Sequence, residues 1–360
     1  MPTRIPTSIN LTGEKLAATL LTARSTVPAL ACMHVRNGIL FATNHTDTFF
    51  QMPTALADGT YDKRVQRLAQ TAPFELEELR TFFGVIHDAD DLALVDHAEP
   101  CSVPSVLTMN DIARVIHACD PKCERPVLRN IRVEISPQNT VQYVATDGTF
   151  LAAYDNAQHY ETLDLESFCV PYAAARIFSK WDKVRTDNGK PGAWYVSVSD
   201  HCVIAYEEVT GASIVSIRTD GVYPDIKLII GDPAGTRTPL FNSNYEHGEE
   251  NLHKLEPVKH HKGLVTFERS EYGNGFVNLT FTCDRLAPLT VYNMPLSLWD
   301  SVTDEKLAKI ALPAEHFLSA MHASAKRAGC VVSSSLSDTD PLVLFNDGSL
   351  IQAMLNKKRV

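Results

Sequence analysis

Residues 125–154 read RPVLRNIRVEISPQNTVQYVATDGTFLAAY and contain two runs rich in β-branched and aromatic residues. The runs flank Ser136-Pro-Gln-Asn139, a cluster of turn-forming residues, so the stretch predicts a β-hairpin. The second run is expected to bulge or end at Thr146-Asp-Gly148, because Asp and Gly tolerate positive φ. Just upstream, residues 108–119 have helical period. Their shared apolar face consists of Ile112, Val115, Ile116 and Cys119. The local order is therefore helix, strand, turn, strand.

The same order is predicted at the start of the chain. A helix is expected from Thr12 to about Arg24, followed by a strand, an Asn37-Gly38 hairpin turn and a returning strand over 39–52. The segment FATN, residues 41–44, also aligns with VATD, residues 144–147. This faint internal repeat, whose copies are about 100 residues apart, indicates several similar units.

Further periodic segments extend this pattern to the end of the chain. Helices are predicted over 75–86, 171–185 and 313–328, with 249–258 as the best candidate in the weakest part of the sequence. Strands are predicted over 92–95, 194–198, 202–207, 264–268, 276–282, 289–292, 330–335 and 342–354. Boundaries are expected near Pro100–Pro104 and Asp232–Gly235. We therefore expect α+β domains over 1–103, 104–231 and 232–360.

Composition places the chain among globular proteins. A chain of 360 residues is longer than a domain built on one hydrophobic core usually is. A content of 44% hydrophobic and 21% charged residues is ordinary for a soluble protein. We expect a cytoplasmic protein, because no stretch approaches a membrane span and the N-terminus lacks a signal-peptide core. The eight cysteines include no C-x-x-C pair, which favours a reducing compartment.

Charge is concentrated on one predicted helix. The net charge is −10, yet residues 171–185 carry Arg176, Lys180 and Lys183 opposite an apolar face. An ordinary solvated helix face is one interpretation; a surface that contacts nucleic-acid phosphates is the other. Other basic candidates for that surface are Arg24, Arg114, Lys122, Arg125, Lys326 and Arg327. The sequence has no aromatic-rich strand motif of the kind that stacks single-stranded bases. Its absence favours binding to a duplex over binding to a single strand.

Catalytic and metal motifs are weak. His87-Asp-Ala-Asp-Asp91 has carboxylates, but it lies between a predicted helix and strand, where such residues form turns. Cys119 and Cys123 lack a second ligand pair, and Lys259-His-His-Lys262 is typical of an exposed loop. No P-loop, G-x-S-x-G or H-E-x-x-H is present. We expect no enzyme activity, no metal site and no cofactor.

Several segments together resemble the bacterial β sliding clamp, the processivity factor of DNA polymerase III. RSTVPAL at 24–30 is similar to the family's segment after its first helix, and RPVL at 125–128 to the start of its second domain. ATDGTFL at 145–151 resembles the signature A-T-D-G-H-R-L. IRTDGVYPD at 217–225 resembles the segment that closes the second domain. Their order and spacing make the resemblance specific, and it covers about 8–231 and 312–356.

The resemblance implies three similar clamp domains, each with helices on one side of antiparallel sheets, forming a half-ring. Two subunits would close head to tail into a homodimeric ring around double-stranded DNA, with the basic residues above on its inner wall. It also implies a hydrophobic pocket for short linear motifs of DNA polymerase and the clamp loader. The matching positions are Leu128, Thr146, Gly148, Thr149, Phe150, Leu151, Pro224, Leu228, Ile229 and Met354.

This sequence departs from the family at the pocket. Thr149 and Phe150 replace the signature's His-Arg pair, and Leu228 replaces an arginine, so a more apolar pocket is expected. One alternative is a clamp-like protein that binds replication partners without encircling DNA. The other is an enzyme with an Asp- or His-based metal site, which would need Asp88 or Asp90 as ligands.

Overall fold

A computed structural model describes most of the chain. The described residues are 12–21, 31–44, 46–68, 105–161, 163–184, 192–199, 202–219, 221–230, 238–243, 262–273, 275–283, 286–294, 296–298, 300–324, 330–334 and 342–355. The α-helices among them are α1 (Gly13–Ala17), α2 (Tyr172–Phe178), α3 (Ile226–Ile230), α4 (Asp304–Ala308) and α5 (Ala314–Ser324). Short 3-10 helices lie at Met109–Arg114, Ile116–Ala118, Pro126–Arg129 and Trp181–Lys183.

Strands form most of the described structure. They are β1 (Met33–Arg36), β2 (Ile39–Thr43), β3 (Thr48–Pro53), β4 (Gly59–Tyr61), β5 (Ser105–Leu107), β6 (Asn130–Ile135), β7 (Val141–Thr146), β8 (Phe150–Asn156), β9 (Phe168–Pro171), β10 (Trp194–Val198), β11 (Cys202–Glu207), β12 (Ala212–Ile217), β13 (Thr238–Ser243), β14 (Leu264–Arg269), β15 (Val277–Cys283), β16 (Leu286–Met294), β17 (Leu296–Leu298), β18 (Ala311–Pro313), β19 (Cys330–Ser334), β20 (Leu342–Asn346) and β21 (Leu350–Leu355). Helices beside antiparallel sheets confirm the predicted α+β class.

The chain divides into two compact units with interleaved segments. The first comprises residues 1–116, 129–141 and 158–221, and the second comprises 117–128, 142–157 and 222–360. The three-domain division at 103/104 and 231/232 stays a prediction.

The first unit is built on an eight-stranded sheet in the order β4-β1-β2-β3-β12-β11-β10-β5. The predicted Asn37-Gly38 turn is confirmed: both residues have positive φ, 52° and 74°, which matches the twist of the flanking strands. The turn at Ser136–Asn139 is also confirmed, because the Asn139 amide donates to Ser136 O at 3.0 Å.

Helix α2 supplies part of the core of the first unit. Ala174, Ile177 and Phe178 are buried, as its apolar period predicts. The Phe178 ring meets Trp194 edge-on, with centroids 4.8 Å apart, and Trp181 lies 5.2 Å from Trp194. The basic residues of this helical segment, Arg176, Lys180 and Lys183, are partly or fully exposed.

The second unit contains two antiparallel arrays. One follows the order β17-β13-β19-β20-β21-β8-β7, and the other follows β16-β15-β14-β18. Helix α5 packs against β14, β18 and β21. It buries Ala314, Phe317, Leu318 and Met321, a spacing that places all four on one helix face.

Two strands predicted as continuous are interrupted by turns. The predicted strand 39–52 is wrong as one element because Asn44 Oδ1 accepts the amides of Thr46, Asp47 and Thr48 at 3.0–3.2 Å, which turns the chain. The predicted strand 342–354 is likewise split at Asp347. Its Oδ1 accepts the Leu350 amide at 2.7 Å.

The predicted helix 108–119 is a pair of 3-10 helices, broken at Val115 with φ −120°. Its apolar face is nevertheless largely buried at Ile112, Val115 and Cys119. The predicted helices 75–86 and 249–258 and the strand 92–95 lie outside the described residues. Within the described part, no helix is long and apolar enough to cross a membrane.

Candidate functional site

An exposed apolar patch lies on and beside α3 in the second unit. Asp225 begins this helix, because its Oδ1 accepts the Lys227 amide at 2.9 Å. Ile226 and Ile230, four residues apart, are both only 5% exposed. Between and before them, the side chains of Val222, Leu228 and Ile229 are 93%, 84% and 40% exposed. We call these three residues the apolar patch.

A buried cluster supports α3. It contains Val144, Leu151, Ala153, Ile226, Ile230, Leu344 and Ala353, with Tyr223 packed against it. Leu151 on β8 pairs with Ala353 on β21, so both side chains leave the sheet on the same face. Tyr223 Oη also donates to Val144 O at 3.4 Å. The segment that carries the patch is thus fixed to these strands.

The next residues along each strand lie on the opposite face. Phe150 pairs with Met354, and Ala152 pairs with Gln352. Phe150 and Met354 are buried, at 1% and 0% exposure. Of the predicted pocket residues, Leu151 therefore lies on the α3 face of the sheet, whereas Phe150 and Met354 point away from it.

The turn before β8 is held by its own side chains. Asp147 Oδ1 accepts the amides of Thr149 and Phe150, each at 2.7 Å. Thr146 Oγ1 donates to Phe150 O and accepts the Gly148 amide, and Gly148 has φ +92°. A Cβ on Gly148 would lie 3.6 Å from Leu128 Cδ1. Four more predicted pocket residues, Leu128, Thr146, Gly148 and Thr149, therefore lie at this one turn.

The same carboxylate also contacts α5. Asp147 Oδ2 lies 3.2 Å from His316 Nε2, and both side chains are about four-fifths buried, at 21% and 18% exposure. Burial raises the pKa of Asp147, but the hydrogen bonds from His316 and from the Thr149 and Phe150 amides outweigh it and lower the pKa to about 2. Asp147 is therefore ionised at neutral pH, so His316 Nε2 carries the proton in this contact.

A second histidine, His117, also contacts the Phe150 ring. The Phe150 ring stacks on His316 at 4.9 Å and lies 5.6 Å from His117. Gln352 Nε2 donates to Ala320 O at 3.1 Å, so its Oε1 is the acceptor for His117 Nε2 at 2.8 Å. Burial lowers the pKa of His117 to about 4; the Gln352 hydrogen bond opposes this shift and His316 adds to it. His117 is therefore neutral at pH 7.

A cavity of about 1030 Å³ borders these side chains within the second unit. Its lining includes His117, Asp147, Thr149, Lys262, Glu315 and His316. Charges of both signs lie on its wall, so it has no clear preference for an anion or a cation. No group of three or more potential metal ligands occurs within the described ranges.

The basic candidates are distributed over both units. In the first, Lys180 and Lys183 are exposed and Arg176 is partly exposed, next to the 3-10 helix that carries Arg114. In the second, Lys122 and Arg125 are exposed. Arg24, Lys326 and Arg327 lie outside the described residues, as do the segment 87–91, which was predicted to form a turn, and residues 259–261.

Comparisons with known proteins identify the architecture. No protein-family model matches the chain, and no curated protein does. Among solved structures, the DNA polymerase III subunit beta of Pseudomonas aeruginosa is 14% identical and has a TM-score of 0.62, covering 96% of this chain and 98% of its own. This chain has the sliding-clamp fold. Caulobacter crescentus pol III beta is 15% identical, with a TM-score of 0.63 over 95% and 96% of the two chains. The Helicobacter pylori beta clamp bound to a DNA ligase peptide is 12% identical, with a TM-score of 0.61 over 95% and 96%.

Within the clamp fold, sequence reasoning missed the contacts around Phe150. His117 and Gln352 are 235 residues apart, and neither lies in a recognisable motif. The only sequence signal was the Asp147-Gly148 turn, which predicted a strand end but not an ion pair. Pro224 is partly exposed and directly precedes Asp225, next to the apolar patch.

Proposed function

We propose that this protein is a DNA sliding clamp, a non-catalytic processivity factor that encircles duplex DNA as a head-to-tail homodimer. The observation that carries the proposal is the match to DNA polymerase III beta subunits over at least 95% of this chain and of theirs. A match of that extent covers part of each of the three segments that we propose as domains, 1–103, 104–231 and 232–360. The resemblance of the segments 24–30, 125–128, 145–151 and 217–225 supports it independently.

DNA would be held by charge rather than by base recognition. The net charge of −10 opposes non-specific binding over the whole surface, so affinity must come from local basic residues. We propose that the nine basic candidates, including Arg114, Arg176, Lys180 and Lys183, contact phosphates. Such contacts carry no sequence information, which allows the protein to slide, and they weaken as the salt concentration rises.

Charge reversal tests the DNA contacts. Arg176→Glu with Lys180→Glu is expected to weaken binding to a closed duplex circle and to reduce the salt slope by about 0.9 for each phosphate that is no longer neutralised. Lys63→Glu with Arg64→Glu is the matched control, because both residues are exposed in a turn of the same unit and this pair changes the net charge by the same amount. If the variant with Arg176→Glu and Lys180→Glu keeps the wild-type affinity and salt slope, Arg176 and Lys180 are not part of the DNA-binding surface.

Partner proteins would bind the apolar patch through short linear motifs. An exposed apolar surface beside a buried cluster is typical of a site that accepts one or two apolar anchors of an extended peptide. The H. pylori clamp is bound to a DNA ligase peptide, which supports a peptide as the ligand class. We propose that Leu151, Pro224, Leu228 and Ile229 form this site, with Leu128, Thr146, Gly148 and Thr149 at its edge. Phe150 and Met354 would then support it from the other face.

Peptide binding tests the patch. Leu228→Asp is expected to abolish binding of the DNA ligase peptide while leaving stability within about 0.5 kcal/mol, because Leu228 is 84% exposed. Tyr272→Asp is the control, since Tyr272 is an exposed aromatic elsewhere in the same unit, at 76%. Binding that survives Leu228→Asp would exclude the patch as the peptide site.

A further inference from the structure

Five side chains form a series of contacts on the side of the sheet opposite the apolar patch, in the order Gln352, His117, Phe150, His316 and Asp147. We call His117, Asp147, Phe150, His316 and Gln352 the histidine clasp. Asp147 and Phe150 belong to the turn and to β8, Gln352 belongs to β21, and His316 belongs to α5. The clasp therefore joins segments that are distant in sequence.

The clasp contacts α5 at two positions. His316 contacts Asp147 at 3.2 Å, and Ala320 O accepts from Gln352 at 3.1 Å. His316 and Ala320 are four residues apart and so lie on one helix face. Because a helix is rigid over one turn, these two contacts hold the turn before β8 and strand β21 against the same segment of α5.

The strands held by the clasp also carry the cluster beneath the patch. Phe150 is followed by Leu151, and Gln352 by Ala353, and adjacent residues of a strand point to opposite faces. Leu151 and Ala353 pack with Ile226 and Ile230 of α3. A displacement of Asp147 and Phe150 on one face would therefore displace Leu151 on the other.

We propose that His316 is a positioning residue: through its hydrogen bond to Asp147 it fixes Leu151 and thereby sets the affinity of the apolar patch for its peptide ligand. The affinity part rests on the proposed function; the positioning part does not. Asp147 transmits the effect because one of its oxygens contacts His316 while the other holds the Thr149 and Phe150 amides. No covalent or redox step is involved.

Methyl NMR of Leu151 tests the positioning directly and needs no partner. His316→Phe keeps a ring beside Phe150 but removes the donor to Asp147, so the Leu151 methyl signals are expected to shift. His316→Gln retains an N–H donor and is expected to restore signals close to wild type. His159→Phe, the same change at an exposed position of the other unit, is the control and should leave the Leu151 signals in place. The methyls of Val196 in the other unit should not move in His316→Phe.

Peptide affinity tests the consequence in the full-length protein, with the DNA ligase peptide as probe. His316→Phe is expected to raise its dissociation constant about tenfold, within the usual range for coupled sites, and His316→Gln to restore an affinity close to wild type. Unmoved Leu151 signals in His316→Phe would overturn the positioning, as would equal signals in His316→Phe and His316→Gln. Shifted signals with unchanged affinity would overturn the effect on the ligand. A wild-type protein that binds no peptide refutes the proposed ligand and leaves the NMR test of positioning in force.

Discussion

The protein is expected to lose stability as the pH falls from 7 to 5, because His117 is protonated in the unfolded chain and stays neutral in the folded chain. The pKa of His117 is lowered from 6.5 to about 4 in the folded state, chiefly by burial. The unfolded chain therefore binds a proton first, and stability present above pH 6.5 is lost as the pH falls toward 4. The full shift corresponds to about 3 kcal/mol, of which about 2 kcal/mol is lost by pH 5. Asp147, with a pKa lowered to about 2, contributes stability that is lost only at lower pH.

His117→Phe isolates this effect, because it keeps a ring against Phe150 and removes the titrating group. At pH 7 the variant should be less stable by about 1–3 kcal/mol, since Gln352 Oε1 loses its donor. Urea unfolding at pH 7 and pH 5 would give the difference between the two proteins. Histidines that do not interact with His117 are common to both proteins and cancel, whereas His316 interacts with His117.

The difference in unfolding free energy between wild type and His117→Phe should be about 2 kcal/mol smaller at pH 5 than at pH 7. The His117 imidazole proton signals of wild type should titrate with a midpoint near 4. An equal gap at both pH values, or an imidazole midpoint near 6.5, would refute the assignment of His117 as a buried neutral donor to Gln352.

Two further predictions concern stability alone. Gly148→Ala should cost about 1–2 kcal/mol in thermal or urea unfolding, because φ is +92° while the space beside Leu128 is adequate; Gly275→Ala, which meets nothing within 4 Å, should be nearly neutral, and equal costs would contradict the backbone explanation. Phe178→Ala should cost about 3–5 kcal/mol, because the side chain is 1% exposed and packs on Trp194; a destabilisation below about 1 kcal/mol would contradict its place in the core.

Much of the fold could be predicted because local chemistry and tertiary packing agree. Asn37-Gly38 specifies a tight hairpin, and the period of Ala174, Ile177 and Phe178 specifies a buried helix face. Two of the errors occurred where a side chain redirects the backbone. Asn44 and Asp347 each accept consecutive amides, which ends a strand that its apolar residues would otherwise extend.

The candidate site was predictable only in part, because the face of a side chain depends on register. Leu151 and Phe150 are adjacent in the same motif, yet pairing with Ala353 and Met354 sends them to opposite faces. The exposure of Leu228 and Ile229 likewise depends on α3, whose inward positions are Ile226 and Ile230. Contacts such as His117 with Gln352 have no local sequence signal at all.

The central claim, that the chain closes into a ring around DNA, is tested most directly by mass in solution together with particle shape in negative stain. The proposed function predicts a particle near twice the 39.8 kDa chain mass with a central hole wide enough for a duplex. A particle of one chain mass without a hole would contradict encirclement. It would favour the alternative, a clamp-like protein that binds replication partners without enclosing DNA.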